Sequence, residues 1–450
     1  MMRRKSDIKD RKEISGRILV AHPAQQHSYR LAGALEKTGM LSKYATTVYY
    51  RKFSFTALAA KCLRGDFRVK AMNRRCGDIP DKKVIQFCEI EGLLKLVALN
   101  TRFLKRQYRT IKYHTADRFA RKVAGYVVRC NRKTVDPVDA VITYDDTSPL
   151  LFEILARKSP DTIRIMDMSA ANILYMRHIY EEDILRAPAF AQRLREERKI
   201  CWDPFTIRRT KRELRRAQYF LVPSEFVGRS LEYSGVRKEQ IFYCPYGVDT
   251  EAFSPKEYEE LVPGSRPLEF IYVGGVKELK GISYLLNAFA KIPREQAFLT
   301  VVGKYDPDGK DTAPFAEFVN FTGPVLHSEV PVLLRRADVF ILPSLGEGMA
   351  LSAIEAASCG LPLILSENSG MREIIEEGKN GFVVPIQSTE ALIGKIRFFI
   401  RHPEQIRPMG ERAREMAERY TWQEYSARVR QCCINILRRE QENASKNEIQ

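Results

Sequence analysis

No run of eighteen or more apolar residues occurs in this 450-residue sequence, so no bilayer-spanning helix is expected. No Cys-x-x-Cys pair occurs either. The nine cysteines are scattered and odd in number, and two of them, Cys432 and Cys433, are adjacent. Neither a disulfide frame nor a zinc site is indicated by such spacing. The six histidines are equally dispersed and offer no ligand cluster, so no metal is expected. The first twelve residues are basic but lack the apolar stretch of a secretory signal. The expected location is therefore the cytoplasm.

What remains is an ordinary folding composition, 44% hydrophobic, in a chain long enough for two cores. The formal net charge is +18, and it is unevenly placed. Residues 1–220 hold 47 Lys and Arg against 24 Asp and Glu, a net of +23, whereas residues 221–450 hold 27 against 32, a net of −5. Clusters at 61–75, 102–112 and 208–216 give the first half a strongly positive field. Its partner is expected to be anionic: nucleic acid, acidic lipid headgroups or a phosphorylated acceptor. A solvated, arginine-rich helical surface is the plainer reading of any single cluster.

Strand-like and helix-like runs alternate along the chain. Short apolar runs at 17–22, 140–143, 163–166 and 219–223 are separated by helical patterns, with basic helices expected over 50–135. Pro and Gly punctuate 245–267, a linker signature. A second series then begins at 270–274. There Ile282, Leu285, Leu286 and Phe289 mark one face of a helix, and further strands are read at 298–302, 339–343, 361–365 and 382–384. Nearly continuous apolar strands of this kind are covered on both faces. The expected fold class is α/β with two Rossmann-like, doubly wound domains. The first spans 1–245, a linker spans 246–267, the second spans 268–420, and a last helix over 421–450 returns to the first domain.

The richest stretch is VFILPSLGEGMALSAIEAASCGLPLIL, residues 339–365. A buried strand ends at Pro343, and a loop with Gly346 and Gly348 leads into a helix near Ala350. Gly360 and Pro362 then close that helix. The free N–H groups and positive dipole at such a helix start suit phosphate oxygens, and small loop residues let a ligand approach the backbone. Glu347 and Glu355 bracket this place. Carboxylates accept hydrogen bonds from paired sugar hydroxyls, so one acid is suited to a transferred sugar and the other to a ribose. A capping acid and a solvent-facing acid would show the same spacing.

Glu347-x7-Glu355 within PSLGEGMALSAIEAASCGLPLI closely resembles the signature of glycosyltransferase family 4, retaining enzymes of GT-B fold. YVGGVKELKGISYLLNAF (272–289), VPSEFVGRSL (222–231), CPYGVDTEAF (244–253) and GMREIIEEGKNGFVVP (370–385) resemble its other segments in order. The resemblance implies two facing Rossmann-like domains across a cleft. It implies transfer of a hexose-type sugar from a nucleotide diphosphate donor to a glycan or lipid-linked acceptor, as in polysaccharide biosynthesis, without metal or other cofactor. It further implies that Glu355 binds the ribose and Glu347 the sugar hydroxyls. The diphosphate would be met by Gly348, Met349, Ala350 and Leu351 and by Lys280, which stabilises the departing charge. Gly274 and Gly275 form the turn after the first strand. Gly275 stands where the family's arginine usually sits, and Lys277 is the nearest candidate for a second cation.

The first domain departs further from the family pattern. A histidine follows a central strand in many members; here TYDDTS offers Asp145 and Asp146. The strand-end loop HPAQQHS places Gln25, Gln26 and His27 toward a ligand, while His22 and His27 suit a structural role equally. Asp306-Pro-Asp308 has the letters of a metal-binding Asp-x-Asp motif, but DPDG is turn chemistry first. Two rival readings are a nucleotide-sugar epimerase of the same architecture and a basic nucleic-acid-binding protein. The two-glutamate motif speaks against the first, and no helix-turn-helix, zinc-finger or RNP motif supports the second. The basic first half is expected to dock at an anionic membrane surface, peripheral to its inner face.

Overall fold

A computed structural model gives the fold. It describes residues 16–449 apart from 25, 26, 63, 102, 105, 135, 259–261, 307, 308, 310 and 311. The first seven strands are β1 (Ile18–Ala21), β2 (Leu41–Thr46), β3 (Val84–Gln86), β4 (Ala140–Tyr144), β5 (Ile163–Asp167), β6 (Tyr219–Val222) and β7 (Ile241–Tyr243). They form a sheet in the order β3-β2-β1-β4-β5-β6-β7. Six more follow: β8 (Leu268–Val273), β9 (Ala297–Val302), β10 (Val319–Gly323), β11 (Val339–Leu342), β12 (Leu363–Ser366) and β13 (Gly381–Val384). Their order is β10-β9-β8-β11-β12-β13.

Pairing is parallel in both sheets. Each sheet winds outward in both directions from its first strand, β1 between β2 and β4, and β8 between β9 and β11. The carboxyl ends of such neighbouring strands part at the reversal, and ligands of doubly wound sheets bind there. The expected α/β class with two parallel sheets is therefore what the chain forms.

Every apolar run read as a strand lies in one. Four strands carry no such run: β2 (LSKYAT), β3 (VIQ), β7 (IFY) and β10 (VNFTG). Of these, β3, β7 and β10 are sheet edges, where burial alternates or lapses, as at Asn320 and Thr322 of β10. In β2, Ser42 and Lys43 are only half-buried. A polar side chain is tolerated at all of these positions, so the hydrophobic signal fails there.

The described residues divide into two compact units: 16–167, 215–219 and 426–449 in one, 168–214 and 220–425 in the other. In the first, β1 and β4 are fully buried, and the closing helix Trp422–Ile449 brings Glu440 to accept a 2.5 Å hydrogen bond from the Tyr219 hydroxyl. In the second, Phe270, Ile271 and Tyr272 of β8 have no exposure, and Phe270 meets Phe289 of helix Ile282–Phe289 edge-on at 5.5 Å. At the amino end of β11, Asp338 is wholly buried. It is held by a two-pronged pair with Arg266, at 2.7 and 2.9 Å, and by the Glu269 N–H at 2.8 Å. The stretch after Pro245 is pinned within the second unit: the Val248 N–H donates to the Tyr420 carbonyl at 2.8 Å, and Ser358 Oγ donates to the Phe253 carbonyl at 2.7 Å.

One polar network fixes the turn after β8. Glu278 accepts from the N–H of Ser283 at 3.1 Å and from its hydroxyl, closing the amino end of helix Ile282–Phe289. Its neighbour Asp183, on helix Ile173–Arg186, accepts from the Tyr284 hydroxyl at 2.7 Å and from the Gln387 amide at 3.2 Å. Burial, reinforced by Asp183, pushes the Glu278 carboxyl up to about 9. Burial raises Asp183 as well. Two desolvated carboxyls side by side cannot both ionise, so the pair retains a proton.

A pH dependence follows from this pair. Unfolded, Glu278 titrates near 4.5; folded, near 9. Between these values the folded chain keeps a proton that the unfolded chain has lost. The stability this conveys is complete below the unfolded value and disappears as pH rises through the folded one. Glu278→Gln is neutral throughout and keeps an acceptor for Ser283. Its melting temperature relative to the native chain is expected to climb from about pH 5 to about pH 9. A constant difference across that range, read by circular dichroism, would mean that Glu278 ionises normally.

Candidate active site

The loop 343–350 leaves β11 and is clamped from both neighbouring strands. From the β8 side, the Leu279 carbonyl accepts from the Leu345 N–H at 3.0 Å. From the β12 side, the Asn368 and Ser369 carbonyls accept from the N–H groups of Glu347 and Ala350 at 2.9 and 3.1 Å. Asn368 also donates its side-chain amide to the Leu345 carbonyl at 3.0 Å, and the Ser366 hydroxyl donates to the Ser344 carbonyl at 2.5 Å. Within the same unit, Ser224 donates its hydroxyl to the Gly348 carbonyl at 2.5 Å. A Cβ on Gly348 would lie 1.8 Å from the Ser169 carbonyl oxygen, so only glycine fits.

Helix Leu351–Ser358 follows, with Ala350 at its cap and no side chain capping it. Among the described residues, nothing accepts from the backbone N–H groups of Gly348, Met349, Leu351 and Ser352. Gly348 and Met349 are buried. Buried N–H groups are nearly always paired, so an open cluster at a helix start calls for an anionic ligand.

Two of the charged residues expected here meet, and a third lies on the following helix. Lys280 ends the short turn Glu278–Lys280, and its ammonium pairs with Glu347 Oε1, which also accepts from the Ser344 hydroxyl at 2.8 Å. Both side chains are largely covered, Lys280 at 28% exposure and Glu347 at 15%. Glu355 lies one helical turn and more beyond, 17% exposed, with His327 Nε2 at 3.2 Å from its Oε1. Burial pushes the Glu355 carboxyl up, and His327 pulls it back. His327, itself packed edge-on against Phe253 at 5.5 Å, stands in no motif, and nothing in the residues around it signals this contact.

Gly274 and Gly275 form the turn after β8, where the Gly274 N–H donates to the Val302 carbonyl at 2.9 Å. A Cβ on Gly275 would lie 3.4 Å from Lys277 Cε and 3.8 Å from its Nζ. The Lys277 ammonium thus occupies the neighbourhood that a longer side chain at 275 would enter.

In the first unit, the candidate residues gather at the carboxyl ends of β1, β4 and β5. Asp146 adopts a left-handed conformation, φ 64°, and pairs with Lys112. Burial, and then Asp146, push Asp145 up to about 6. Asp167, at the end of β5 and 4% exposed, is pushed up to about 7 by burial, with Tyr144 hydrogen bonding opposing. It stands in a plain strand run and was not among the expected residues; being the last residue of an apolar strand is its only signal. His22 is buried and pushed down to about 4 by desolvation. Its Nδ1 accepts from the Ala24 N–H at 3.1 Å, and its ring meets Tyr144 at 4.8 Å. Both contacts suit a structural role. His27 precedes helix Ser28–Lys37 and is lowered by burial and by Arg30. Gln25 and Gln26 lie outside the described residues, as do Pro307 and Asp308 of the DPDG turn.

Among the described residues, no three His, Cys, Asp or Glu side chains gather as a metal site would require. A cavity of about 1060 Å³ opens elsewhere, around Arg266, Asp338 and Arg407, at the amino ends of β8 and β11. It lies away from the clamped loop, and its most buried charge, Asp338, is already satisfied by Arg266.

Residues 254–416 match the family model described as "Glycosyl transferases group 1". Sulfoquinovosyl transferase of Arabidopsis thaliana is 29% identical over 226 residues, 48% of this chain and 44% of the relative. The chain spans about half the length of the curated relatives it matches. Sucrose-phosphate synthase of Thermosynechococcus elongatus superposes with a TM-score of 0.61 at 19% identity, over 94% of this chain and 99% of that one. HepE of Anabaena, solved with UDP and glucose, gives 0.58 at 14% identity, over 93% of this chain and all of its own. The fold is thus that of the GT-B glycosyltransferases, and the segment carrying Lys280, Glu347 and Glu355 is the one similar to group 1 of these enzymes.

Proposed function

We infer that this chain is a retaining glycosyltransferase of family 4 that moves a hexose-type sugar from a nucleotide diphosphate donor to an acceptor hydroxyl. The observation that carries the reading is the set of open N–H groups at Gly348, Met349, Leu351 and Ser352, in the same group 1 match as Lys280, Glu347 and Glu355. The diphosphate lies over the start of helix Leu351–Ser358, taking hydrogen bonds from the open N–H groups of Gly348, Met349 and Leu351, while Ala350, whose N–H goes to the Ser369 carbonyl, borders the donor with its small side chain. Glu355 accepts from the ribose hydroxyls, and Glu347 from those of the sugar. Gly274 and Gly275 let the donor approach the β8 turn closely, and Lys277 supplies the second cation there. HepE, solved with UDP and glucose, supports a donor of this class.

In the transfer, an acceptor oxygen bonds to the anomeric carbon on the face from which the diphosphate leaves. The carbon–oxygen bond to phosphate breaks, and a phosphate oxygen takes the acceptor proton. Lys280 meets the charge that develops on the leaving diphosphate. No metal or other cofactor takes part in this scheme. The acceptor, a glycan or lipid-linked molecule as in polysaccharide biosynthesis, belongs to the first unit, where Asp145, Asp146, His27, Gln25 and Gln26 are its candidate contacts. Burial, and then Asp146, push the Asp145 carboxyl up to about 6, so it is chiefly an acceptor at neutral pH and gains a donor proton as pH falls through that value. The reaction is placed in the cytoplasm, at the inner face of a membrane.

Lys280→Ala is expected to cut turnover by ~100-fold or more, because a fixed donor to developing charge is lost. Its melting temperature should change little by comparison, and near-normal turnover in the folded variant would end the assigned role. The two acids separate by the step they serve. Glu355→Ala should weaken binding of the free nucleoside diphosphate, whereas Glu347→Ala should impair transfer and leave that affinity largely intact. Isothermal titration with the nucleotide, beside an assay of transferred sugar, distinguishes them; equal losses of affinity would refute the division. Activity should withstand EDTA. Its abolition with rescue by manganese would favour a metal-dependent transferase, and a product with inverted but untransferred sugar would favour an epimerase.

A further inference from the structure

We propose that helices Phe55–Cys62, Gly65–Met72 and Glu89–Asn100 of the first unit form a face that docks on an anionic lipid bilayer. Among the described residues, twenty large hydrophobic side chains are exposed, and ten of them fall between positions 53 and 103. Monomeric proteins seldom leave so much apolar surface open without a use for it.

Helix Glu89–Asn100 is built inside out. Ile90, Leu94 and Val97, spaced i, i+4, i+7, are 55%, 52% and 48% exposed. Its fully buried residues are small: Gly92, where a Cβ would lie within 2.8 Å of Thr47 and Val48 side-chain atoms, and Ala98, which has no exposure; between them Lys95 reaches in to the Pro23 carbonyl at 2.8 Å. The usual arrangement for a surface helix is the reverse. Helix Phe55–Cys62 repeats the pattern, with Phe55 and Leu58 outward and Thr56 and Ala60 buried. Thr56 joins the two helices, donating both its N–H and its hydroxyl to Glu89 Oε1 at 2.6 Å. Val69 and Met72, three residues apart, extend the apolar face, and Phe53 and Phe103 flank it at 94% and 86% exposure.

Charge selects the occupant. Residues 51–75 contain eight Lys and Arg against one acid, and residues 101–112 contain five against none. The two acids on the inverted helix are turned to internal uses, Glu89 to Thr56 and Glu91 to Arg118 at 2.6 Å. Protein interfaces deplete Lys at their apolar centre, whereas Lys and Arg beside Leu and Phe mark helices that lie in a lipid interface. Each cation near acidic headgroups raises partitioning about fivefold, and apolar side chains below the headgroups add a part that salt does not screen. No described helix is long and apolar enough to cross a membrane, so docking by this face is superficial and reversible.

This face deepens the reading of a lipid-linked acceptor and rests on it for its purpose. Docking is nonetheless measured without sugar transfer, so either idea can fail alone. The test is co-sedimentation of the full chain with vesicles of phosphatidylcholine, alone or mixed with phosphatidylglycerol. Binding is expected to the mixed vesicles at low salt, with little to phosphatidylcholine, and with partial loss at ~0.5 M salt. The double variant Leu58→Glu, Leu94→Glu should lose tenfold or more in partitioning. Leu326→Glu, at an equally open position of the second unit, should lose none. Circular dichroism establishes that each variant is folded. The proposal is overturned if the native chain binds neither vesicle, binds both equally, or binds as well after the double substitution. It is also overturned if the face instead joins two copies, seen as a dimer in sedimentation that the double variant abolishes.

Discussion

Around the loop after β11, backbone runs against backbone more closely than any side chain permits. A Cβ on Gly281 would lie 1.9 Å from the Pro343 carbonyl oxygen, one on Gly348 1.8 Å from that of Ser169, and one on Gly370 2.2 Å from that of Gly348. Gly281 also sits at φ 66°, a conformation that strains an L side chain. The turn after β8 is thereby pressed onto the loop after β11. Lys280 immediately precedes Gly281, and Glu347 immediately precedes Gly348. The meeting of these two charges is therefore set by backbone packing rather than by the reach of flexible side chains, and the Leu345–Leu279 hydrogen bond holds the same two segments in register.

That constraint has a chemical consequence. Lys280 and Glu347 neutralise each other in a largely covered setting, beside the buried ring of Tyr272, where attraction is stronger than in water. Glu355 leans likewise on His327. In the proposed reaction each of these groups exchanges a protein partner for a donor group: Lys280 for a phosphate oxygen, Glu347 for a sugar hydroxyl, Glu355 for a ribose hydroxyl. The backbone N–H groups of Gly348, Met349, Leu351 and Ser352 exchange nothing, since among the described residues no protein group accepts from them. They are the part of the site already shaped for an anion before any ligand arrives.

How far the sequence discloses this depends on the physical signal each residue leaves. β8, β11 and β12 are buried on both faces, so their apolar runs are nearly continuous and readable. The edge strands β3, β7 and β10 must satisfy only one neighbour, and their mixed composition conceals them. Glu347 and Glu355 are legible because a charged residue among small and apolar neighbours needs a reason. Glu278 escapes notice because KELK reads as a charged surface turn; only the fold, which buries it beside Asp183, makes it unusual. Asp167 escapes for the opposite reason, ending an apolar strand as many acids do. His327 becomes visible only when the chain places it against Glu355, from a position 28 residues away in sequence.

The same logic locates the positive charge of the first half more sharply than its sum. Several of its acids are paired away from the inverted helices, as Glu36 is with Lys83, Asp78 with Lys37 and Asp146 with Lys112. On the helices themselves, Glu89 accepts from a threonine, a neutral partner, and Glu91 reaches Arg118. Within 51–75 and 101–112, Lys and Arg outnumber acids thirteen to one, although Arg75 pairs with Asp81 and Lys112 with Asp146, and exposed Phe and Leu side chains lie in the same segments. Neither feature alone specifies a bilayer, since basic surfaces are common and scattered apolar residues are ordinary. Their coincidence on helices whose small residues face inward is harder to obtain by chance. A fold that needed only to be soluble would have turned Ile90, Leu94 and Val97 toward the sheet.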